Sequence, residues 1–329
     1  MSGRRAAARA AGGGTDAARF GARERVRARR GTIAAVFLAA ALAPGTAAAA
    51  ACCLSTSTFG AGRLAVWEDA AFGLGLSYAT AAGHFDGEGG YHAHDGYTER
   101  EGRATAFALV RLARSLEAGV RVPWVVGHRT TNDLDETGHG VGDVALALRW
   151  DAFPMGTLGG GLPGIAFTLA ASLPTGRAVE ESDGVLGADA TGSGAASVSA
   201  GVSVERSLGT AFLRLDLGAR LPFAREVNGA DLRAGPGLEA QLGGGVDLGR
   251  GVVVALAPRI RWESDAIRDG TRIADSSTLE LAVGPSASWE FMRDWTLQAS
   301  FDTGLPVDGL GANRPLLTTA SLGIRRAVY

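Results

Sequence analysis

The chain has 329 residues, of which 46% are hydrophobic and 20% are charged, and its formal net charge at pH 7 is −2. The apolar content excludes a disordered chain, and the 49 Gly, about twice their usual share, lack the G-X-Y period of collagen. The only cysteines are the adjacent pair Cys52 and Cys53, which excludes a disulfide scaffold.

Residues 1–51 have the pattern of a secretory signal peptide. Nine Arg precede residue 32, the apolar run 32–43 follows, and an alanine tract suited to cleavage near Ala49 to Ala51 comes next. The apolar run is shorter than the ~20 residues that a membrane-spanning helix needs. We therefore predict an exported chain. Lipid modification of Cys52 is the less favoured alternative, because Ala precedes it where a lipobox carries Leu.

The chain that follows residue 51 is acidic. Nine of the 32 basic residues and two of the 34 acidic residues lie in residues 1–51, which leaves 23 against 32 and a net charge of −9. Nucleic acids and anionic headgroups attract clustered positive charge, so we expect no nucleic acid partner. Residues 52–69 are predicted to form a short periplasmic segment before the first strand.

After this segment, apolar and polar side chains alternate with a period of two. In residues 211–221, Leu215 and Leu217 share one face, and Arg214 and Asp216 share the other. Such runs are longer than the usual strands of globular sheets and reach the ~9–11 residues of a transmembrane strand. The pattern predicts twelve strands, at residues 70–83, 102–113, 116–127, 141–153, 162–174, 193–206, 209–222, 235–248, 251–264, 275–291, 294–304 and 314–329.

The connections between the predicted strands alternate in length. Long polar loops follow the odd-numbered strands, and links as short as two residues follow even-numbered ones. Bacterial outer-membrane barrels have this asymmetry, with short periplasmic turns and long extracellular loops. We therefore predict an all-β fold, a transmembrane antiparallel up-and-down β-barrel over residues 70–329, in the outer membrane of a Gram-negative bacterium. The predicted long loops are residues 84–100, 128–140, 175–192, 223–234, 265–274 and 305–313.

Tryptophans near the ends of the predicted strands support this interpretation. They lie on the apolar face, as in the aromatic girdles of membrane barrels. The alternative is a secreted β-sandwich whose apolar faces meet in a core. A sandwich does not require every second loop to be long, so the barrel is favoured. The tryptophans are Trp124, Trp150, Trp262, Trp289 and Trp295.

Two short motifs resemble a known family. Residues 140–143 read GVGD before a strand that ends on Arg149 and Trp150, and the next strand ends in the PTG of residues 174–176. This combination resembles the outer-membrane transporters grouped under the MetA pathway of phenol degradation, which are FadL-like in outline. The resemblance implies a barrel that passes small apolar or aromatic molecules. Unlike FadL, the chain has too few residues before its first predicted strand for a long N-terminal plug.

Charged side chains in the polar phase of the predicted strands are expected to face the lumen. Twelve strands enclose a space between that of filled eight-stranded barrels and that of open sixteen-stranded porins. We therefore expect a channel or transporter for small, hydrophobic or aromatic solutes, and the alternative is a non-conducting structural, metal-sensing or adhesive barrel. The predicted lumen-lining residues are Arg121, Asp143, Arg149, Arg214, Asp216, Arg220, Glu239, Arg259, Arg261, Glu263 and Glu280.

Histidines cluster in the first two predicted loops. His92 and His94 are spaced to place two imidazoles on one side of an extended segment, with Asp95 beside them and His139 in the neighbouring loop. Such ligands suit Zn or Cu, so these four residues are a candidate divalent-metal site. The alternative is that exposed polar loops collect His by chance. No other cofactor is expected.

No catalytic residue is predicted. An omptin-like protease or an outer-membrane phospholipase is the enzymatic alternative, because Asp95 beside His94 and Asp133 near His139 are groups able to activate a water molecule. The sequence lacks the GxSxG motif of serine hydrolases. The expected partners are outer-membrane lipid and lipopolysaccharide, the barrel-assembly machinery and a small-molecule solute.

Overall fold

The computed structural model describes residues 62–93, 96–154 and 162–329. The predicted signal peptide, the cysteine pair, and His94 and Asp95 lie outside these residues, so the predictions made for them stay predictions. In the part of the chain that the structure describes, no helix has the length and apolarity of a membrane span, a finding that concerns helices only.

Within the described residues, twelve long strands follow one another along the chain. Their bounds are β1 (Ala70–Phe85), β2 (Thr98–Ala113), β3 (Leu116–Thr130), β4 (Val144–Phe153), β5 (Gly164–Leu173), β6 (Ser197–Leu208), β7 (Ala211–Pro222), β8 (Gly237–Gly249), β9 (Val252–Glu263), β10 (Thr278–Met292), β11 (Trp295–Gly304) and β12 (Arg314–Val328).

The twelve strands form one closed antiparallel sheet. Each strand pairs with its neighbours in sequence. β12 returns to β1, with Val328 opposite Ala70 and Arg314 opposite Phe85. Because every strand has two partners, no long edge is left unpaired, which is the condition for a sheet to span a membrane. The predicted twelve-stranded antiparallel barrel is confirmed.

Strand phase separates an apolar outer surface from a charged inner one. In β7, Leu215 and Leu217 are exposed on the outside, whereas Asp216 between them is buried inside. Trp262 near the end of β9 and Trp124 midway along β3 are likewise exposed on the outer surface. Apolar faces therefore point away from the barrel and do not meet in a core, which excludes the sandwich alternative.

The predicted long loop at residues 128–140 is wrong. β3 continues to Thr130, and a further strand, Asp135–Val141, pairs back along it, so residues 131–134 alone form the turn. This hairpin extends the barrel wall beyond the apolar belt. Both of its faces carry polar residues there, so the period-two pattern that marks a membrane strand is absent from its sequence.

Other predicted loops also contain short elements. The loops at 223–234 and 265–274 contribute two strands each to a separate four-stranded sheet. The loop at 175–192 contains a 3-10 helix, and the strand predicted to begin at 193 begins at Ser197. The short elements are Tyr91–Ala93, Val179–Glu181, Arg225–Val227, Ala230–Arg233, Ile267–Arg268, Thr271–Arg272 and Gly311–Ala312.

Candidate functional site

Among the described residues, the inner surface of the barrel lines a larger and a smaller cavity. The larger, here called the outer chamber, has a volume of about 500 Å³ and lies toward the end of the barrel that carries the long loops, the loop end. The smaller, the inner chamber, has about 50 Å³ and lies toward the end with the short links, the turn end. Arg121, Ala145 and Ala170 belong to the walls of both. Arg121 therefore stands where one chamber meets the other.

The structure distributes the sequence-predicted lumen residues over these chambers. Arg121, Asp143, Arg220, Glu239, Arg261 and Glu263 line the outer chamber. Arg149, Arg214 and Asp216 line the inner one together with Arg121. Arg259 and Glu280 form an ion pair with each other on neighbouring strands.

An ion-pair network covers the inner face of β8 to β12. Glu280 accepts a hydrogen bond from Arg259 at 3.0 Å and another from Arg314. Arg261 binds Glu239 at 2.8 Å. Arg314 also reaches Glu263 at 3.1 Å, and Arg259 reaches Asp302 at 3.1 Å. Because each of these carboxylates pairs with at least one Arg of a nearby strand, this side of the lumen largely compensates its own charge.

The inner chamber has its own compensated pairs. The guanidinium of Arg149 lies 2.8 Å from Asp151, and that of Arg214 lies 2.8 Å from Asp216. Ser203 Oγ donates to Asp216 Oδ1 at 2.5 Å. Paired side chains fill most of the space at this level, which agrees with the small volume of the inner chamber.

Residues 62–69 close the turn end of the barrel. Arg63 pairs with Glu205 of β6 at 3.1 Å, and Glu68 pairs with Arg325 of β12. In a ring of twelve strands β6 and β12 lie opposite each other, so this short segment crosses the barrel. Between its ends, Leu64 donates its backbone N–H to Glu117 of β3 at 3.1 Å. The sequence predicts no long N-terminal plug, yet these few residues are enough to cross the barrel because it has only twelve strands.

Two further contacts hold this closing segment. The guanidinium of Arg111 donates to the carbonyl of Glu68 at 2.8 Å and to that of Ala65 at 2.6 Å. Leu64 packs with Ala71 and Leu109 in a buried apolar cluster. The segment is therefore fixed to the wall by both polar and apolar contacts.

The loop between β5 and β6, residues 174–196, docks against the inner face of the β3 hairpin. Arg129 Nη1 donates to the carbonyls of Leu186 and Gly187 at 2.7 and 2.9 Å. Glu136 accepts from the backbone N–H of Leu186 at 2.9 Å. Beneath the loop Val125 is only 1% exposed. The loop thereby narrows the outer chamber from one side.

A close backbone approach requires glycine in the hairpin under this loop. A Cβ on Gly127 would lie 2.3 Å from the carbonyl oxygen of Ala188, and one on Gly138 would lie 2.3 Å from the Cα of Asp189. Neither position accommodates a side chain unless the loop moves. These glycines thus fit the hairpin to the docked loop.

Asp143 anchors the docked loop rather than acting as an open lumen charge. It lies just before β4 and accepts from the backbone N–H of Gly176 at 3.1 Å and from that of Ser193 at 2.7 Å. Within the loop, hydrogen bonding by Ser182 Oγ holds the pKa of Asp189 well below its usual range, with smaller help from Arg177. Charged hydrogen bonds of this kind fix the loop backbone.

Sequence reasoning missed two cationic residues of the outer chamber, whereas a further one, Arg103, lies in the polar phase of its predicted strand. Arg129 and Arg314 line the chamber, whereas the sequence pattern places Arg129 in the predicted loop 128–140 and Arg314 at the first position of a strand. The signal that identifies Arg129 as a lumen residue is its position in the alternation of inward and outward side chains along the strand. Arg129 continues the inward series of Arg121 and Val125 at a spacing of two, once the strand is extended to Thr130.

The predicted metal ligands do not form a site among the described residues. His92 Nε2 lies 2.9 Å from Asp86, and this hydrogen bond lowers the pKa of the Asp86 carboxyl. The ring of His139 stacks on Trp124 at the outer surface. Within the described ranges no three His, Cys, Asp or Glu side chains are placed to hold a metal ion. Because His94 and Asp95 lie outside those ranges, the metal site stays a prediction.

A closed barrel with an apolar outer surface and a charged inner surface defines a transmembrane β-barrel of the outer-membrane class. The chain belongs to the family described as "Putative MetA-pathway of phenol degradation", whose family model matches residues 92–322. The resemblance inferred from the GVGD and PTG motifs is therefore confirmed.

Comparison with solved structures supports the fold. The outer membrane channel from Pseudomonas putida F1 is similar with a TM-score of 0.65 and 18% identity, over 80% of this chain and 97% of that chain. The translocator domain of the autotransporter NalP from Neisseria meningitidis has a TM-score of 0.41 and 11% identity, over 79% and 88%. At these identities the first similarity supports the fold alone, and the second carries no argument. The comparison with curated proteins finds no match.

Proposed function

We propose that the chain is a channel in the outer membrane of a Gram-negative bacterium for small organic solutes, aromatic ones included. The observation that carries this proposal is the outer chamber. Its volume of about 500 Å³ lies within the ~300–1,000 Å³ that is typical of small-molecule sites. Membership of a family named for phenol degradation supports aromatic solutes as the class.

Passage through this channel requires the closing segment, residues 62–69, to move. The inner chamber, at about 50 Å³, has room for only a few water molecules. Gly62 and Arg63 form part of its wall. We propose that the loop end is extracellular and the turn end periplasmic, so that solute enters the outer chamber first and waits for the segment to undock.

We also propose the partners that an outer-membrane barrel requires. The apolar outer surface supports outer-membrane lipid and lipopolysaccharide as its surroundings, and a barrel of this class supports insertion by the barrel-assembly machinery. We propose no catalytic residue.

Swelling of proteoliposomes tests the proposal. The refolded full chain should admit arabinose, and phenylalanine as an aromatic solute that crosses lipid slowly, faster than protein-free vesicles do. Arg121→Trp should slow both solutes, because Arg121 stands between the two chambers. Heat-modifiable gel mobility would verify that the variant is folded. Swelling of the full chain no faster than that of empty vesicles would contradict the channel.

A further inference from the structure

More Arg than carboxylate side chains line the outer chamber, although the chain is acidic. Residues 52–329 have a net charge of −9. The chamber wall contains six Arg and four carboxylates, and two further carboxylates outside the lining, Glu99 and Glu280, pair with Arg129, Arg261 and Arg314. The six Arg are Arg103, Arg121, Arg129, Arg220, Arg261 and Arg314, and the carboxylates are Glu101, Asp143, Glu239 and Glu263.

All four wall carboxylates are already bonded within the protein. Arg103 donates to Glu101 at 2.8 Å. Glu239 and Glu263 accept from the network Arg residues on β9 and β12. Asp143 accepts from two backbone N–H groups of the docked loop. The ion-paired carboxylates and the Arg residues that bond them compensate each other, so a solute acid needs an Arg that lies outside these ion pairs.

Unlike the ion-paired Arg residues of this wall, Arg220 has a hydroxyl group as its partner. Its Nε donates to Ser197 Oγ at 3.2 Å, and no carboxylate of the described residues lies within ion-pair distance of its guanidinium. By comparison, Arg129 has Glu99 at 3.1 Å. A guanidinium has a planar fork of donors that matches the two oxygens of a carboxylate. The Nη groups of Arg220 thus offer that fork to the chamber.

Small side chains leave room beside this cation. On β4, β5 and β6 the wall consists of short residues such as Ala145, Ala170 and Ser199. Arg121 lies on β3 on the far side of this stretch. An apolar or aromatic body can rest against the alanines while its acidic group turns toward Arg220.

We propose that the outer chamber is a binding site for small organic carboxylates, with the acid held by Arg220 and the apolar body against the Ala145 and Ala170 wall. This inference rests on the proposed channel function and names its solute class as anionic rather than neutral. It also makes the chamber selective for anions over cations.

Calorimetric titration of the detergent-solubilised full chain tests binding without requiring conduction. The probe is benzoate at pH 7, and benzyl alcohol is the neutral probe of the same shape. Benzoate should bind the wild type, and Arg220→Gln should weaken it by about ten- to a hundredfold, the range for hydrogen bonds between charged groups. Arg220→Lys keeps the charge but loses the fork, so it should retain part of the affinity. Benzyl alcohol should not distinguish the variants.

The matched control is Arg268→Gln, which removes an exposed Arg from the short sheet outside the chamber. Its benzoate affinity should equal that of wild type, and circular dichroism should show every variant to be a folded barrel. Equal benzoate affinity in wild type and Arg220→Gln would overturn the carboxylate site, as would the absence of benzoate binding to wild type.

Reversal potentials separate this inference from the proposed function. In a planar bilayer with a KCl gradient, wild type should favour chloride, and Arg220→Gln should lower that preference. A conducting channel that favours potassium would overturn the inference and leave the channel function standing. Benzoate binding without any conductance would overturn the channel function and leave the carboxylate site standing.

Discussion

Undocking of the closing segment should be controlled by one buried leucine. Leu64 is only 3% exposed and packs with Ala71 and Leu109 at the turn end of the barrel. The perturbation is Leu64→Ala. It removes apolar contact from residues 62–69 when they are docked and leaves the strand pairing of the barrel unchanged.

The size of the effect follows from the packing. Leu→Ala in a closely packed site costs ~2–5 kcal/mol, and the lower end applies here because the cluster is small and lies at the mouth of the barrel. A cost of ~2 kcal/mol corresponds to about a 30-fold rise in the undocked fraction, since each ~1.4 kcal/mol is a factor of ten. The ion pairs at Arg63 and Glu68 remain, so the segment still redocks.

Single-channel recording measures this fraction as open probability. Leu64→Ala should open about 30 times as often as wild type under the same voltage and salt. The control is Leu74→Ala, which removes the same atoms from a side chain that is 46% exposed on the outer surface. Equal open probabilities for Leu64→Ala and wild type would refute the reasoning, and so would an equal increase in the control.

Three further outcomes test the docked loop and the membrane surface. Gly127→Ala should release residues 174–196 and speed their cleavage in limited proteolysis, whereas Gly75→Ala, whose nearest atom would be 4.0 Å away, should not; equal cleavage would count against docking. Leu217→Arg should lower the free energy of unfolding in vesicles by ~2–4 kcal/mol, since Leu217 faces lipid, and an unchanged value would place it elsewhere. The lowered pKa of Asp189 means that its stabilisation is present above the ordinary value of 3.8 and is lost as the pH falls through the folded value. Ser182→Ala should therefore raise this pKa toward 3.8 in a carboxyl NMR titration, and no rise would contradict the assigned hydrogen bond.

The barrel could be predicted from sequence wherever the two faces of a strand meet different solvents. Leu215 and Leu217 face outward and Asp216 faces inward, so apolar and polar side chains alternate with a period of two along residues 211–221. The hairpin beyond residue 128 was missed because both of its faces lie outside the apolar belt. A strand in that position needs no alternation of apolar and polar residues.

The closing segment and the docked loop, which shape the lumen, could not be predicted because the residues they contact are distant in the chain. Arg63 and Glu205 are 142 residues apart in the chain, and no local pattern marks their pairing. The phase of Arg220 predicted that it faces inward. That it meets Ser197 rather than a carboxylate depends on which strand lies beside β7 and in which register.

The central claim is a channel closed at its turn end by residues 62–69. Its most direct test is planar-bilayer conductance of the full chain beside a variant that lacks residues 52–69. We predict rare opening steps for the full chain and frequent or sustained conductance for the shortened one, with both variants folded by heat-modifiable mobility. Absence of conductance in both would contradict the claim.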